Sequence, residues 1–221
     1  MQGWWLLALG AVAFLYGAVG HAGASGYIAV LALAGLPAEQ IKPLALILNT
    51  VVAAQGRWQF VRAGHLRWRL FWPVLLAGLP MAFLGGWLDL PTLWFQRLVA
   101  LVLLASALRF LRQPGDPERL TQPPLILLVL SGAGLGLLAG LTGTGGGVFL
   151  TPLLLGCSWA STRQAAAVSS LFIFGNSLSG LAGLMLARQP SGALLPSLPS
   201  QLGWMVLLVL LAALKLLGFG G

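Results

Sequence analysis

Residues 124–157 read Pro-Leu-Ile-Leu-Leu-Val-Leu-Ser-Gly-Ala-Gly-Leu-Gly-Leu-Leu-Ala-Gly-Leu-Thr-Gly-Thr-Gly-Gly-Gly-Val-Phe-Leu-Thr-Pro-Leu-Leu-Leu-Gly-Cys, without one charged side chain. The part up to Gly143 is long and apolar enough to cross a bilayer, which takes about 20 residues. Leu141-Thr142-Gly143-Thr144-Gly145-Gly146-Gly147 then breaks it. Each glycine costs a helix about 1 kcal/mol relative to alanine. The apolar piece that follows, 147–157, is too short to cross as a straight helix. Irregular backbone at membrane depth survives only where protein or a water-filled cavity satisfies it. The stretch therefore predicts a spanning helix followed by the half-helix of a broken or re-entrant segment.

The rest of the chain follows the same pattern. Of its 221 residues 58% are hydrophobic and 7% charged, against about 25% charged in a soluble domain. The mean hydropathy is +0.93. Apolar runs at 3–20, 41–62, 69–88, 94–112, 124–143, 163–187 and 202–219 make seven expected spans. A second short apolar piece lies at 26–35. The fold class is all-α: a polytopic bundle of about seven spans plus two short broken or re-entrant segments. The N-terminus lacks the basic region of a signal peptide, so its apolar run is read as structure.

The net charge of +8 does not point to nucleic acid, because the basic residues sit in short loops between apolar runs. That is the positive-inside pattern of a membrane protein. Arg57, Arg62, Arg67 and Arg69 flank one loop, and Arg109, Arg112 and Arg119 mark another. Both loops are expected in the cytoplasm, with Asp89 and Pro91 outside and the N-terminus inside. Trp4, Trp5, Trp68, Trp72, Trp87 and Trp94 are expected at the lipid–water boundary. Arg97 and Arg163 are expected to snorkel there, and His65 to be solvated. Cys157, the single cysteine, is read as packing. The expected setting is a bacterial inner membrane, multi-pass.

The chain also repeats. Gly17-Ala-Val-Gly20-His21-Ala-Gly23 aligns with Gly140-Leu-Thr-Gly143-Thr144-Gly-Gly146 at an offset of 123, and Asn49 with Asn176 at 127. Val99-Ala-Leu-Val-Leu-Leu-Ala resembles Val206-Leu-Leu-Val-Leu-Leu-Ala at 107. The halves are 1–112 and 124–221, joined by a proline-rich linker over 113–123. The second half lacks the counterpart of 69–88, with proline-rich 189–200 in its place. A complete half has four spans. An even number gives both halves one orientation, while the lost span leaves the course of 202–219 open.

The residues able to carry chemistry gather at the repeat. Gly20, His21, Gly23, Ser25 and Gly26 form one glycine turn, and Thr142, Gly143, Thr144, Gly145, Gly146 and Gly147 the other. Backbone N–H groups leading into a helix N-terminus make an anion site. Close packing is the competing reading, and it is the one taken for Gly132, Gly136 and Gly140 at GxxxG spacing. Lys42, Asn49 and Gly56, and likewise Ser169, Asn176 and Gly183, recur every seven residues, nearly on one helix face. Asn49 and Asn176 either bond helices together or face a solute, and both readings stay open. His21 could change charge near neutral pH or serve as a hydrogen-bonded structural residue. No carboxylate lies within a span, which disfavours a proton relay or cation site. No cofactor fingerprint, metal set or nucleophile–base pair occurs, so no enzyme is expected. The two turns are expected to meet near the bilayer midplane as one site for a small anion.

The turn Thr142–Gly147 with Phe149-Leu-Thr-Pro-Leu153, the stretch Gly23-Ala-Ser-Gly-Tyr27, and Arg57-Trp-Gln-Phe-Val-Arg-Ala-Gly-His65 resemble the TauE/SafE, or sulfite exporter, family of membrane permeases. The resemblance covers most of the chain. It implies a permease of four plus four helices for small sulfur-containing anions such as sulfite or sulfonates. This chain departs from that plan by one helix. A passive anion channel and a non-transporting degenerate subunit are the alternative functions, and assembly into a homo-oligomer is left open.

Overall fold

The computed structural model describes residues 4–18, 24–62, 64–111, 117, 119–188, 203 and 206–207. Eight α-helices are described: α1 (Trp4–Ala18), α2 (Ala24–Leu33), α3 (Ala38–Arg62), α4 (Trp68–Trp87), α5 (Thr92–Leu111), α6 (Leu125–Thr142), α7 (Gly147–Gly156) and α8 (Thr162–Arg188). Their bounds follow the apolar runs. Among the described residues α4, α6 and residues 162–187 of α8 are long and apolar enough to cross a membrane. The run at 202–219 lies mostly outside the described residues, as do 113–116 and 118 of the linker.

A glycine seam fixes the centre of the bundle. A Cβ on Gly132 would lie 2.3 Å from the Val74 carbonyl oxygen. On Gly136 it would lie 2.3 Å from that of Gly78, and on Gly140 2.1 Å from that of Ala82. These separations leave no room for any side chain, so α4 and α6 touch backbone to backbone over three turns. The contacts advance together along both chains, so the two helices run in the same direction. α8 packs on α4 in the same sense: Ser179 donates to the Leu79 carbonyl at 2.6 Å, and a Cβ on Gly183 would lie 2.1 Å from the Phe83 oxygen. α3 runs the other way beside α8, with the Ser170 hydroxyl donating to the Ala53 carbonyl at 3.5 Å. The GxxxG residues are packing residues, as expected.

The segment 124–157 returns to the face it started from. The Thr121 amide donates to the Ser158 carbonyl at 2.7 Å, and Arg67 Nη1 donates to the Trp159 carbonyl at 2.8 Å. The start of α4, the start of α6 and the end of α7 therefore share one face. The sequence led us to expect a spanning helix and then a half-helix. The structure makes them the two arms of one re-entrant hairpin, because the glycine turn reverses the chain. α6 remains long and apolar enough to cross, and its last turn reaches Gly85 and Gly86 at the far end of α4; what the structure adds is that α7 brings the chain back.

At the opposite face Lys42 explains where α4 stops. Its buried Nζ donates to the carbonyls of Gly85, Gly86 and Leu88 at 3.0, 3.1 and 3.1 Å. Terminal carbonyls have no partner within their own helix, and a cation suits the negative end of its dipole. Lys42→Met is expected to lower stability by about 3 kcal/mol, since hydrogen bonds to charged groups contribute ~1.5–3 kcal/mol each. Thermal melting in detergent checks this.

Trp68, Trp72, Trp87 and Trp94 are exposed near the ends of α4 and α5, as expected, and the Arg97 guanidinium lies 5.5 Å over the Trp94 ring. Trp5 departs from expectation. It is only 7% exposed and packs with Leu9, Ala13, Tyr27, Ile28 and Leu44, because α1 presents that side to the bundle. Cys157 was expected to pack but is exposed, since it ends α7 at the loop face.

Candidate functional site

The turn between α6 and α7 is shaped by its own residues. Gly143 has φ +79°, Gly145 +69° and Gly146 +79°, the left-handed region that a β-carbon disfavours. Gly143 ends α6 by donating its amide to the Ala139 carbonyl at 2.9 Å. Thr142 Oγ1 donates to the Leu138 carbonyl at 2.6 Å. Its single hydroxyl proton being used there, the 2.9 Å contact between the two threonine hydroxyls has Thr144 as donor. The Thr144 amide also points at Thr142 Oγ1, at 3.3 Å. Both threonines were expected to offer hydroxyl protons to an anion. The structure uses those protons to build the turn.

Three elements close around this turn. From α3, Asn49 Nδ2 donates to the Gly143 carbonyl at 2.9 Å. From α8, a Cβ on Gly145 would meet Ile173 Cγ2 at 2.7 Å and Ser177 Oγ at 3.1 Å. The Phe172 ring lies between Gly146 and Gly78, since a Cβ on either would come within 2.9 or 2.7 Å of it. Gly78 is at the middle of α4, so Gly146 and Asn176, whose Oδ1 is 3.0 Å from a Cβ built on Gly78, sit at mid-depth of the bundle. Further along α7 the Thr151 hydroxyl donates to Ser169 Oγ at 2.8 Å.

Within this buried surround some polar groups have no partner. Asn49 Oδ1, both side-chain polar atoms of Asn176, and Ser177 Oγ are buried and make no hydrogen bond. Buried polar atoms are nearly always bonded, and each unmet group costs ~1–3 kcal/mol. Asn49 and Ser177 lie against the turn, and Asn176 faces Gly78 beside Phe172, whose ring covers Gly146. The first amides of α7, at Gly147 and Val148, have no acceptor within their helix, and no side chain caps it. The set can donate through one amide NH₂, one hydroxyl and a helix N-terminus, and accept through two amide oxygens. It carries no charge.

The structure thus brings Asn49, Gly143, Gly145, Gly146, Gly147 and Asn176 together. Gly183 and Ser169, on the same stripe as Asn176, serve helix contacts instead. Gly20, His21 and Gly23 lie outside the described residues. Ser25 and Gly26 open α2, with Ser25 buried. Ile173 connects the two regions: it covers Gly145 and Gly147 and belongs to the buried cluster holding Tyr27 and Ile28. Sequence reasoning missed Ser177. It follows Asn176 directly and no seven-residue spacing marks it.

Parallel apolar helices, a glycine hairpin and a buried, uncharged polar cluster describe a helical membrane protein. The chain belongs to the sulfite exporter TauE/SafE family, which it matches over residues 5–220. It is 37% identical over 203 residues, 90% of this chain and 79% of the relative, to a probable membrane transporter protein, y4hK, of Sinorhizobium fredii. No solved structure matches it.

Proposed function

We propose that this protein is an inner-membrane permease for a small anion, a sulfur-containing oxyanion or sulfonate, with sulfite the first candidate. The observation that carries the reading is the cluster of unpartnered Asn49 Oδ1, Asn176 and Ser177 Oγ around the turn. Asn176 Nδ2, the Ser177 hydroxyl and the first amides of α7 would donate to the oxyanion. The helix dipole adds partial positive charge. A site without a full charge holds an anion weakly enough to release it on the far side. The family's name supplies the sulfite candidate.

Sulfite and sulfonate flux into proteoliposomes is the direct test. Flux above protein-free vesicles is expected, with accumulation against a gradient separating a permease from a passive channel. Folded protein that moves none of a panel of small anions would leave the degenerate-subunit reading, which the shortened second half favours.

The re-entrant hairpin also changes the proposed architecture. α1 packs on both α2 and α3, and we read α1–α2 as the counterpart of α6–α7. Each half then begins with a hairpin. The first continues through three crossings, α3, α4 and α5, an odd number that inverts the second half relative to it. The α6–α7 hairpin opens to the face of Arg67, read as cytoplasmic, and α1–α2 to the face of Asp89, which moves the N-terminus outside. Cys157 reports on this directly. It is expected to resist an impermeant maleimide in intact cells and to react after permeabilisation. Asp89→Cys in a Cys157→Ser background is expected to react in intact cells. Labelling of Cys157 from outside would reverse the orientation.

A further inference from the structure

A cavity lies far from the glycine turn, at the face where α4 and α6 begin. Its volume is about 230 Å³, and it is lined by Arg67, Arg69, Leu70, Gln122, Pro123, Leu125 and Leu128. Arg67 is the N-cap of α4 and Pro124 that of α6, and neither helix start has a side-chain cap. The first amides of each helix are without an acceptor inside it. Two parallel helices therefore bring two positive dipole ends and two arginines to one opening. Arg67 fixes one of its donors on the Trp159 carbonyl, and a guanidinium carries five. Arg69 is exposed.

We propose that this cavity binds the phosphate of an anionic phospholipid, with the lipid's glycerol and upper acyl chain leaving along exposed Leu125. The guanidinium pair and the helix starts suit a phosphate. The apolar edge at Leu125 is of no use to a free inorganic ion. It continues into the lipid-facing surface, where Leu125, Ile126 and Leu127 are exposed. Beside it Trp68 and Trp72, both exposed, stack with ring centroids 6.0 Å apart, as aromatics at the headgroup level do. Basic pockets between membrane helices recognise anionic headgroups on this principle.

Native mass spectrometry of the full chain, released from mixed phosphatidylglycerol and phosphatidylcholine micelles, tests the site. Wild-type protein is expected to retain phosphatidylglycerol in preference. Arg69→Gln is expected to lower that retention roughly five-fold without changing phosphatidylcholine, and Arg69→Lys to restore most of it. Gln122→Glu, which places a carboxylate in the cavity from an exposed loop, is expected to lower it similarly and serves if Arg69→Gln elutes aggregated. Equal retention of the two lipids, or retention indifferent to both substitutions, overturns the proposal. So does inorganic phosphate raising the melting temperature as far as phosphatidylglycerol does, which assigns the cavity to a soluble anion.

Discussion

Asn176→Leu is expected to leave the protein at least as stable as the parent chain and to reduce anion flux by more than ten-fold. The two side chains are close in shape. Leucine replaces two buried polar atoms that have no partner with methyl groups that need none. Exchanging an unmet polar group for an apolar one of similar size removes a burden of ~1–3 kcal/mol per group, so the melting temperature should hold or rise. If the amide is the principal donor to a desolvated oxyanion, losing it removes a hydrogen bond to charge worth ~1.5–3 kcal/mol. A loss of that size weakens binding by more than about ten-fold, and flux at sub-saturating anion falls with it. Opposite movement of stability and flux is the signature of a binding group, as functional sites commonly hold stability below its optimum. A fall in both would make Asn176 a structural residue and remove the central member of the proposed site. Ser177→Ala belongs in the same experiment, with a smaller effect in the same direction.

Gly146→Val is expected to abolish flux and to lower stability by several kcal/mol. Gly146 has φ +79°, where a β-carbon costs ~1–2 kcal/mol and a branched one more. The new Cβ would lie 2.9 Å from the Phe172 ring and 3.1 Å from the Leu135 carbonyl. Overpacking of that kind costs a further ~1–3 kcal/mol. Yield, monodispersity and melting should all suffer. The sharper measurement is Gly134→Val, at a helical glycine with open space around its Cβ position, which should retain both fold and flux. Equal damage from the two would mean that added bulk anywhere in this hairpin is harmful and that the turn has no special standing.

Helix positions were legible in the sequence because lipid makes apolar length a direct readout of crossing helices. The seam at Gly132, Gly136 and Gly140 was legible because close approach of helices needs small residues at a fixed spacing. The breaking turn was legible because three consecutive glycines have no other use inside an apolar run. Partners were hidden. That the Thr142 and Thr144 protons serve the turn depends on where the Leu138 carbonyl points, which no spacing reveals. Trp5 facing inward and Cys157 facing outward depend on the rotation of α1 and on where α7 ends. That α7 brings the chain back to the face where α6 begins shows only in contacts of Thr121 and Arg67 with residues far along the chain. The same holds for Lys42, whose partners lie more than forty positions away.

The hairpin also constrains how the protein is made. α7 has ten residues, about 15 Å of helix, too short for an insertion machinery to accept as a membrane segment by its hydropathy. Its inner face is completed by α8, through Thr151 on Ser169 and Gly147 on Ile173, and those residues are synthesised afterwards. The α7 arm and its glycine turn must therefore stay at the membrane surface until α8 has entered and supplied the wall against which they settle. Biogenesis is then post-insertional for this one element. A ribosome-bound chain truncated before α8 should leave residues 147–155 open to protease, in a protein whose finished form buries most of them.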